Sequence, residues 1–346
     1  MGDGGCTAAV HGWASALAAA GMDTSVVYDQ EGEFREGGID WKHVPHRGPE
    51  KLRHPTQLER VLHEADLLVL HSGWVYHNVS AARRSRRVGT PYVITPHGAY
   101  DPNVFRRRTI LRSAWWRSLE RPVLEGALAV HVFFDGERAH LRRLGYRGEV
   151  IVAPNGVSLP SFDDHPQRRD YALWMGRFDI ETKGIDLLLR AQAGLAADRR
   201  PELRLHGPDW RGGKERAIRM VHDLGLEGSV TIGPPAYASE KWRLLRECGV
   251  FLFTSRWDSS SMMVLEAAGA GAPVVATDAT FIGRELAGEG AAILVEPTLS
   301  GIGAGILDGL TGAGRTTGER AAAVIGERFS WPTVAQRFLD QLEPLL

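Results

Sequence analysis

The sequence predicts an α/β protein built from two doubly wound, Rossmann-like domains. Short β-branched runs alternate with longer helical patterns from end to end of the 346-residue chain, which is typical of parallel sheets covered on both faces. The length suits two cores of ordinary size. The predicted strands fall into two blocks of about six, whereas a barrel of about eight strands would leave several of them unexplained.

The first block of strands follows a Gly-rich turn, Gly2-Asp3-Gly4-Gly5, and a helical pattern over His11–Ala20. Its strands are predicted near Thr24–Tyr28, Trp41–Pro45, Leu67–His71, Tyr92–Thr95, Leu128–Phe133 and Val150–Ala153. A doubly wound domain normally opens with a strand that leads into such a turn, and none precedes this one. We expect the true start codon to lie upstream of Met1, since the alternative, loss of a central strand, would expose apolar surface on its neighbours.

The second block of strands follows a linker, indicated by Pro160, Pro166 and a run of polar residues. Its strands are predicted near Ala172–Met175, Leu203–His206, Val230–Gly233, Val250–Thr254, Val274–Ala276 and Ala292–Val295, with helices over Gly184–Ala197 and Lys214–Leu224. The tail places apolar residues at helical spacing, at Val334, Phe338, Leu342 and Leu345. We therefore assign residues 1–155 to a first domain, 156–168 to a linker, 169–328 to a second domain and 329–346 to a closing helix.

Composition and charge exclude several classes of protein. Hydrophobic residues make up 43% and charged residues 24% of the chain, as in soluble globular proteins. The formal net charge of −1 gives no bulk attraction to nucleic acid. Cys6 and Cys248 alone cannot build a disulfide framework, and no apolar run reaches the ~18 residues of a membrane span. We expect no secretory signal and a cytoplasmic location.

Two cations follow the first strand of the second domain. Arg177 comes directly after the strand and Lys183 precedes the next helix, so we expect both at the carboxyl edge of a parallel sheet, where open α/β sheets bind ligands. The planar fork of an Arg and the point charge of a Lys beside a helix N-terminus suit a diphosphate. For this pair alone, the alternative is two surface cations.

A second polar group follows the predicted strand Val250–Thr254. Asp258 and Glu266 are separated by seven residues, and a helix is predicted to begin between them. The backbone N–H groups near Ser261–Met263 would be free helix-terminal donors for an anion. Asp258 alone is equally compatible with a helix cap. Glu266 stands in an otherwise apolar run, which favours a ligand contact such as a ribose hydroxyl.

Several segments resemble one family of enzymes in the family's order along nearly the whole chain. They are Gly4-Gly5, Ala20-Gly21-Met22, Thr95-Pro96-His97-Gly98, Pro154-Asn155-Gly156-Val157, Gly176-Arg177, Lys183-Gly184, the Asp258–Glu266 segment, Gly271-Ala272-Pro273-Val274-Val275-Ala276-Thr277 and Phe329-Ser330-Trp331. The family is that of the group 1, or family four, retaining glycosyltransferases. The resemblance implies the GT-B fold, two facing Rossmann-like domains with a cleft between them and a C-terminal helix that crosses back to the first.

The resemblance also implies roles for the matching residues of the second domain. Arg177 and Lys183 would neutralise the diphosphate of the donor, which becomes the leaving group. Glu266 would hold the ribose, and Asp258 would contact hydroxyls of the donor sugar. Further donors to the diphosphate would be the helix-terminal amides of Ser261, Met262 and Met263.

In the first domain, the resemblance assigns His97 a position across the cleft, near the transferred sugar and its phosphate. It brings the Gly4–Gly5 loop close to the diphosphate. The sequence departs from the family's pattern at two further positions. Asp258 stands where Glu is usual and Ser259 where Gly is usual, which leaves the identity of the donor sugar open.

The expected activity is transfer of a hexose-type sugar from a nucleotide-diphosphate sugar to a hydroxyl acceptor, whether a glycan, a lipid-linked saccharide or a natural product. Negative charge builds on the departing phosphate, where cations and N–H donors stabilise it. A retaining glycosidase would use two close carboxylates. We find no such pair and favour same-face attack, in which the leaving phosphate takes the acceptor proton. We expect no metal and no cofactor, because no Asp-x-Asp follows a strand and no His or Cys residues cluster at metal-ligand spacing.

Ten arginines lie between Arg83 and Arg121, against only Asp101 and Glu120. Trp115 and Trp116 lie among them. Such a stretch can dock on an anionic membrane face or bind a polyanionic acceptor, which would make the protein peripheral to the inner membrane face. The alternative is a solvated helix face with its tryptophans packed inward.

Two other functions stay open from the sequence, and neither involves nucleic acid. A sugar-nucleotide epimerase of the same fold would not be expected to show Arg177, Lys183 and Glu266 in this arrangement. A non-catalytic nucleotide-sugar-binding subunit would explain the missing strand and the change at Asp258 as decay. The presence of the diphosphate-binding cations and of His97 argues against it.

Overall fold

The computed structural model describes residues 5–28, 39–49, 52–105, 110–162 and 167–346. The chain separates into two compact units, Met1–Gly156 with Trp331–Leu346, and Val157–Ser330. Each unit contains a parallel sheet with helices between its strands along the chain.

The first unit contains the following strands: β1 (Ser25–Tyr28), β2 (Asp40–His43), β3 (His46–Arg47), β4 (His54–Pro55), β5 (Leu68–His71), β6 (Tyr92–Thr95), β7 (Ala129–Val132) and β8 (Val150–Val152). Its helices before the second unit are α1 (Gly5–Ala19), α2 (Leu58–His63), α3 (Tyr76–Val88), α4 (Pro102–Phe105), α5 (Ile110–Trp115), α6 (Arg121–Glu125) and α7 (Glu137–Arg143). A π-helical turn, Trp116–Glu120, joins α5 to α6.

The second unit contains the strands β9 (Arg169–Met175), β10 (Glu202–His206), β11 (Val230–Gly233), β12 (Cys248–Phe253), β13 (Val274–Thr277) and β14 (Ile293–Val295). Its helices are α8 (Ile185–Gly194), α9 (Gly213–Asp223), α10 (Ala238–Glu247), α11 (Met262–Gly269), α12 (Phe281–Gly288), α13 (Leu299–Gly309) and α14 (Gly312–Arg328). The chain then ends in α15 (Trp331–Leu342) and a short 3₁₀ turn, Glu343–Leu345, which belong to the first unit.

The main sheet of the first unit has the parallel order β5-β6-β7-β8. β1 pairs in parallel with β2 as a separate sheet, and β3 pairs antiparallel with β4. All six strands predicted here are confirmed, and the β3–β4 ribbon is an addition. Within the described residues no backbone ladder joins β1 to β5. Helix α1 begins at Gly5, earlier than the predicted His11–Ala20.

Helices α1 and α15 pack together on the apolar face of this sheet. Trp13 of α1 is 4% exposed and shares a cluster with buried Val93, Ile151 and Phe338. The side-chain amide of Gln341 also donates to the backbone carbonyl of Val152 in β8. The closing helix is therefore an integral part of the first unit's core.

The sheet of the second unit has the order β11-β10-β9-β12-β13-β14, with every neighbouring pair parallel. All six predicted strands are confirmed, as are the two helices, now bounded as α8 and α9. The chain builds outward from β9 to β10 and β11, then returns to place β12 on the other side of β9. This reversal is the topological switch point, and ligands of open α/β sheets bind outside the carboxyl ends of the strands there.

No helix within the described ranges combines the length and the apolar character needed to cross a bilayer.

Candidate functional site

The loops that follow β9 and β12 carry the candidate residues of the second unit. β9 and β12 are parallel neighbours, so their carboxyl ends reach the same edge of the sheet. Arg177 lies two residues past the end of β9, and Lys183 lies two residues before the start of α8. Asp258 lies in the loop between β12 and α11. The fold therefore places these three predicted residues at the switch point.

Hydrogen bonds tie the two loops to each other. The Thr254 hydroxyl donates to the carbonyl of Lys183 over 3.0 Å, and the backbone N–H of Arg256 donates to the carbonyl of Thr182 over 2.9 Å. The Arg256 guanidinium makes a fork on Asp186 at the start of α8, with distances of 2.7 and 2.8 Å. These hydrogen bonds fix the positions of the two loops, and so the backbone positions of Lys183 and Asp258.

Gly184 gives a structural reason for the Lys-Gly pair in the sequence. Its φ is +64°, and a Cβ atom there would lie 2.0 Å from the backbone oxygen of Thr254. Only glycine fits this backbone conformation without strain and without pushing the two loops apart.

Lys183 and Asp258 form an ion pair between the ammonium and Oδ2. Their side chains are 19% and 16% exposed, so the pair is largely shielded from water. The Lys183 ammonium also lies 5.7 Å from the centre of the Phe253 ring. The structure thus joins two residues to which the sequence analysis assigned separate roles, one at the diphosphate and one at the sugar.

Arg177 is exposed and lies over the ring of Trp210, with 4.5 Å between the guanidinium carbon and the ring centre. The loop after β10 that carries Trp210 approaches closely, because a Cβ atom on Gly207 would lie 1.6 Å from the oxygen of Gly176. No sequence pattern pointed to Trp210. Its stacking restrains an otherwise free cation beside the switch point.

The N-terminus of α11 completes this edge. Ser261 is the N-cap residue, and the first-turn N–H groups of Met262 and Met263 have no acceptor within the helix, as in any helix N-terminus. The hydroxyl of Ser259, just before the cap, is buried and has no hydrogen-bond partner among the described residues. The loop therefore offers polar groups suited to an anion or a sugar hydroxyl.

Glu266 lies in the second turn of α11, between the fully buried Leu265 and Ala267. Its Oε1 accepts a hydrogen bond from the ammonium of Lys241 over 2.8 Å. Lys241 belongs to α10, and no sequence pattern linked it to Glu266. It is the clearest candidate site residue that the sequence analysis missed.

In the first unit, His97 follows β6 in a turn with φ +50°. Its Nε2 lies 2.9 Å from Nδ1 of His71, the last residue of β5, and its ring packs edge-on against Phe133. His71 touches His97 directly, and no sequence pattern pointed to this contact.

Burial keeps these imidazoles neutral at physiological pH. It lowers the pKa of His97 to about 4, and burial together with the neighbouring imidazoles of His97 and His131 lowers the pKa of His71 well below its usual range. Burial also lowers the pKa of His131 to about 3. A neutral imidazole can both donate and accept a hydrogen bond, which suits contact with a hydroxyl or a phosphate oxygen.

The start of α1 lies at the same edge of the first unit's sheet. The Cys6 sulfur is 3.6 Å from the Ser72 hydroxyl, next to His71. Gly5 opens the helix, with no atom within 4 Å of where its Cβ would stand. Gly4, which the sequence analysis places beside the diphosphate, lies outside the described residues.

The Arg-rich stretch spans α3 to α6. Trp116 packs against Trp74 and Tyr100, and the Trp115 indole donates to the buried carboxylate of Glu120 over 3.1 Å. The tryptophans are thus partly packed inward, as in the second interpretation of the stretch. Ile110 and Leu111, however, are 90% and 83% exposed. Arg106, Arg107 and Arg108 lie outside the described residues.

No three His, Cys, Asp or Glu side chains of the described ranges cluster in a way that could hold a metal ion.

Comparison with known families gives two matches that follow each other along the chain. Residues 4–156 match the family described as glycosyl transferase 4-like domain, and residues 161–304 match glycosyl transferases group 1.

Curated relatives cover most of the chain at low identity. A protein of Arthrobacter sp. (strain FB24) named D-inositol 3-phosphate glycosyltransferase is 25% identical over 97% of this chain and 89% of its own. A protein of the same name from Frankia alni is 28% identical over 78% of this chain and 72% of its own.

Solved structures with similar folds include HepE of Anabaena in complex with UDP and glucose, with a TM-score of 0.77, 19% identity, and coverage of 99% of this chain and 96% of that one. Sucrose-phosphate synthase of Thermosynechococcus elongatus has a TM-score of 0.74 and 20% identity, over 99% and 94%. At such identities the likeness shows the fold. The predicted fold class, GT-B with two Rossmann-like domains, is confirmed.

Proposed function

Because this chain belongs to the group 1 glycosyltransferases, we propose that it transfers a sugar, with retention of configuration, from a nucleotide-diphosphate sugar to a hydroxyl acceptor. One observation carries the proposal. The loops after β9 and β12, at the switch point of the second unit's sheet, carry two cations and a carboxylate paired with one of them, and the second loop leads into the N-terminus of α11. Open α/β sheets bind their ligands at this position.

The proposed donor contacts follow from the charges at this edge. Arg177 and Lys183 neutralise the diphosphate, and the N–H groups at the start of α11 add donors to it. Asp258 accepts hydrogen bonds from hydroxyls of the donor sugar. Lys183 and Asp258 contact each other. The phosphate bound by Lys183 and the sugar bound by Asp258 are therefore recognised together.

His97 is the proposed contribution of the first unit. Its neutral imidazole, held by His71, hydrogen-bonds a hydroxyl or phosphate oxygen of the donor without adding a charge. The Gly4–Gly5 loop is proposed to approach the diphosphate of the donor.

The proposed donor nucleotide is UDP, and the first acceptor to test is a phosphorylated polyol. HepE is described in complexes with UDP and with UDP-glucose, and a structure of TarM of S. aureus is described in complex with UDP. All four matching curated relatives carry the name D-inositol 3-phosphate glycosyltransferase. Glycans and lipid-linked saccharides are the acceptor classes to test next.

The proposed reaction proceeds on one face of the sugar. The acceptor oxygen forms a bond to the anomeric carbon while the bond from that carbon to the phosphate oxygen breaks. The electron pair stays on the departing phosphate, which also takes the proton of the acceptor hydroxyl. Arg177, Lys183 and the α11 amides stabilise the negative charge, and loss of one such donor typically costs ~2.7–4 kcal/mol of barrier. No metal or cofactor takes part in the proposed reaction.

A membrane contact is proposed for α5 of the first unit. Ile110 and Leu111 protrude side by side, and Arg112 and the exposed Arg117 follow them. Exposed aliphatic side chains next to cations suit the surface of an anionic bilayer at the inner membrane face. We expect flotation with phosphatidylglycerol vesicles at low salt, and loss of flotation when Ile110 and Leu111 are both changed to Ser.

The matched control for this test is Ile218→Ser, which removes a half-exposed isoleucine from α9 of the second unit. The proposed membrane contact would be contradicted if the wild-type protein does not float with anionic vesicles, or if the double variant floats as well as the wild type.

A binding experiment tests the donor site directly. In a thermal-shift panel of UDP, GDP, ADP and dTDP with their sugar conjugates, a ligand at 100 times its dissociation constant stabilises by ~2.7 kcal/mol, a shift of several degrees. We expect one nucleotide to shift the wild type and to lose that shift in Arg177→Ala. The matched control is Arg204→Ala. Arg204 also stacks on an aromatic ring, that of Tyr171, but it lies in the middle of strand β10 and not at the candidate site. No shift with any nucleotide, or an equal shift in Arg177→Ala, contradicts the proposed site.

The two other functions differ from the transferase in their products. A sugar-nucleotide epimerase returns a nucleotide sugar with one inverted carbon, and a binding subunit leaves its ligand unchanged. A transferase releases nucleoside diphosphate and glycosylates the acceptor.

A further inference from the structure

An ion pair in the second unit joins α10 to α11. The Lys241 ammonium lies 2.8 Å from Glu266 Oε1, and the two side chains are 20% and 16% exposed. The ammonium also lies 4.5 Å from the ring centre of its neighbour Trp242. The pair is therefore more shielded from water than an ion pair on the exposed surface.

The side chain of Glu266 is fixed in position, and only one of its two carboxylate oxygens has a hydrogen-bond partner among the described residues. Its backbone lies between two fully buried residues of α11, so the helix fixes the direction of its side chain. Oε1 is taken by Lys241, whereas Oε2 accepts no hydrogen bond from any residue that the structure describes. One carboxylate oxygen therefore remains for a ligand, next to an ammonium that has further N–H donors.

We propose that Lys241 is a specificity-determining residue of the nucleotide site, and that Lys241 and Glu266 recognise the ribose diol as a pair. The inference rests on the proposed function and on the role at the ribose that the family resemblance implies for Glu266. One ribose hydroxyl donates to Oε2 of Glu266, and the oxygen of the other accepts from the Lys241 ammonium. A free carboxylate would instead accept from both hydroxyls and would need no cation.

Such a pair discriminates strongly against a ligand that lacks a hydroxyl. A site built to hydrogen-bond a hydroxyl rejects the analogue without it, because the buried polar group of the site is left unpaired. Each of the two deoxy forms of the nucleotide leaves one member of the pair without its ligand contact. The pair thus selects ribonucleotides.

The test compares the affinities of ribo- and deoxynucleotides by calorimetry. The ligands are the nucleoside diphosphate that the wild type binds best among UDP, GDP and ADP, with its 2′-deoxy and 3′-deoxy forms. The proteins are wild type, Lys241→Met, and Arg243→Met as the matched control. Arg243 lies on the same helix and pairs with Glu240 and Glu247 at its exposed surface, so the control also removes a cation and its ion pairs from α10.

We expect wild type and Arg243→Met to bind the ribonucleotide about tenfold more tightly, or more, than either deoxy form. In Lys241→Met, the preference over one of the two deoxy forms falls to about twofold or less, because the contact to that hydroxyl is gone. Lys241→Gln, which keeps a donor of similar reach, retains part of the preference. If Lys241→Met does not fold, Lys241→Gln is compared in the same way.

A Lys241 variant with the wild-type preference over both deoxy forms overturns the inference. Equal weakening of all three ligands also overturns it, since that would be a general loss of charge or of structure. If the wild type binds no nucleoside diphosphate at all, the proposed function itself fails, and the assignment of Lys241 fails with it.

Discussion

Gly184 links the two loops of the second unit's candidate site at the scale of single residues. The loop after β9 and the end of β12 touch through backbone atoms at this glycine, and Thr254 bonds to the carbonyl of the preceding Lys183. The contact leaves no room for a side chain. Anything that separates the two backbones also separates the Lys183 ammonium from Asp258.

We therefore expect Gly184→Ala to lower the free energy of unfolding by about 2 kcal/mol or more, because φ is positive and the new methyl group overlaps Thr254. It should also raise the KM for the nucleotide sugar. Urea unfolding and steady-state kinetics measure the two effects. Gly194→Ala, at the end of α8 with open space around its Cβ position, is the control and should change stability by less than about 1 kcal/mol. A Gly184→Ala protein as stable as this control would contradict the steric argument.

The buried imidazole of His97 should make the stability of the protein depend on pH. Its pKa is lowered by burial from 6.5 to about 4, so between these values the unfolded chain binds a proton there that the folded chain does not. The free energy of unfolding must then fall as the pH is lowered through this window. His97→Asn removes the titrating group, and Asn tolerates the positive φ. Between pH 7 and pH 4, the free energy of unfolding of this variant should therefore fall by roughly 1–3 kcal/mol less than that of the wild type.

Urea titrations at several pH values between 7 and 4 measure this dependence. His222→Asn is the control, because it makes the same substitution at a side chain that is 81% exposed. The assignment is wrong if His97→Asn keeps the full pH dependence of the wild type.

Single residues also show how far sequence reasoning reaches into a site. Arg177, Lys183 and Asp258 could be selected because they lie in loops that follow strands, and chain position alone places these loops at one edge of a sheet. Glu266 could be selected because it interrupts an apolar run. Lys241 could not, because its partner is chosen by how α10 packs beside α11. The same holds for Trp210 and His71, whose contacts come from neighbouring strands of the sheet.

At the scale of elements, the first unit depends on the packing of α1 and α15 against its sheet. Trp13 of α1 contacts Trp331 and Phe338 of α15, and its indole donates to Asn155 over 3.0 Å. The two ends of the chain are thus joined through one buried side chain. Loss of this contact should loosen both helices together.

Trp13→Ala should lower the free energy of unfolding by about 3–5 kcal/mol, since it removes a fully packed aromatic side chain. Trp13→Phe keeps a ring but loses the hydrogen bond to Asn155, and it should lie between the alanine variant and the wild type. Chemical unfolding followed by circular dichroism measures both variants. An alanine variant as stable as the phenylalanine variant would show that the ring contacts with α15 contribute little.

The elements divide into those with a strong sequence pattern and those without one. Most of the twelve strands of the two blocks are β-branched or apolar runs bounded by polar residues, and the structure confirms all twelve. The β3–β4 ribbon has only two residues in each strand, and one of them is Pro55, so no alternation could reveal it. The early start of α1 was hidden because Gly5, Cys6, Thr7 and Val10 have low helix propensity.

At the scale of the whole molecule, the order of the second unit's strands and the family matches lead to one account. The sheet order places the loops after β9 and β12 side by side, and the candidate residues lie in or directly after those loops. Residues 4–156 and 161–304 match glycosyltransferase families, so this edge is the expected place for the donor. This part of the account could be predicted, because the position of each strand and each motif along the chain can be read from the sequence. The Lys183–Asp258 and Lys241–Glu266 ion pairs could not be predicted in this way, because they depend on side-chain packing.

The most direct test of the account follows the reaction by proton NMR. UDP-glucose, or the sugar conjugate of the nucleotide found in the thermal-shift panel, is incubated with inositol phosphate and wild-type protein in a buffer containing EDTA. We predict release of the nucleoside diphosphate together with a glycosylated acceptor whose anomeric configuration is that of the donor, and turnover at least ~100-fold lower in Arg177→Ala. An inverted product would contradict the same-face reaction. A bound nucleotide sugar that no acceptor class consumes, or that returns as its epimer, would contradict the assignment as a transferase.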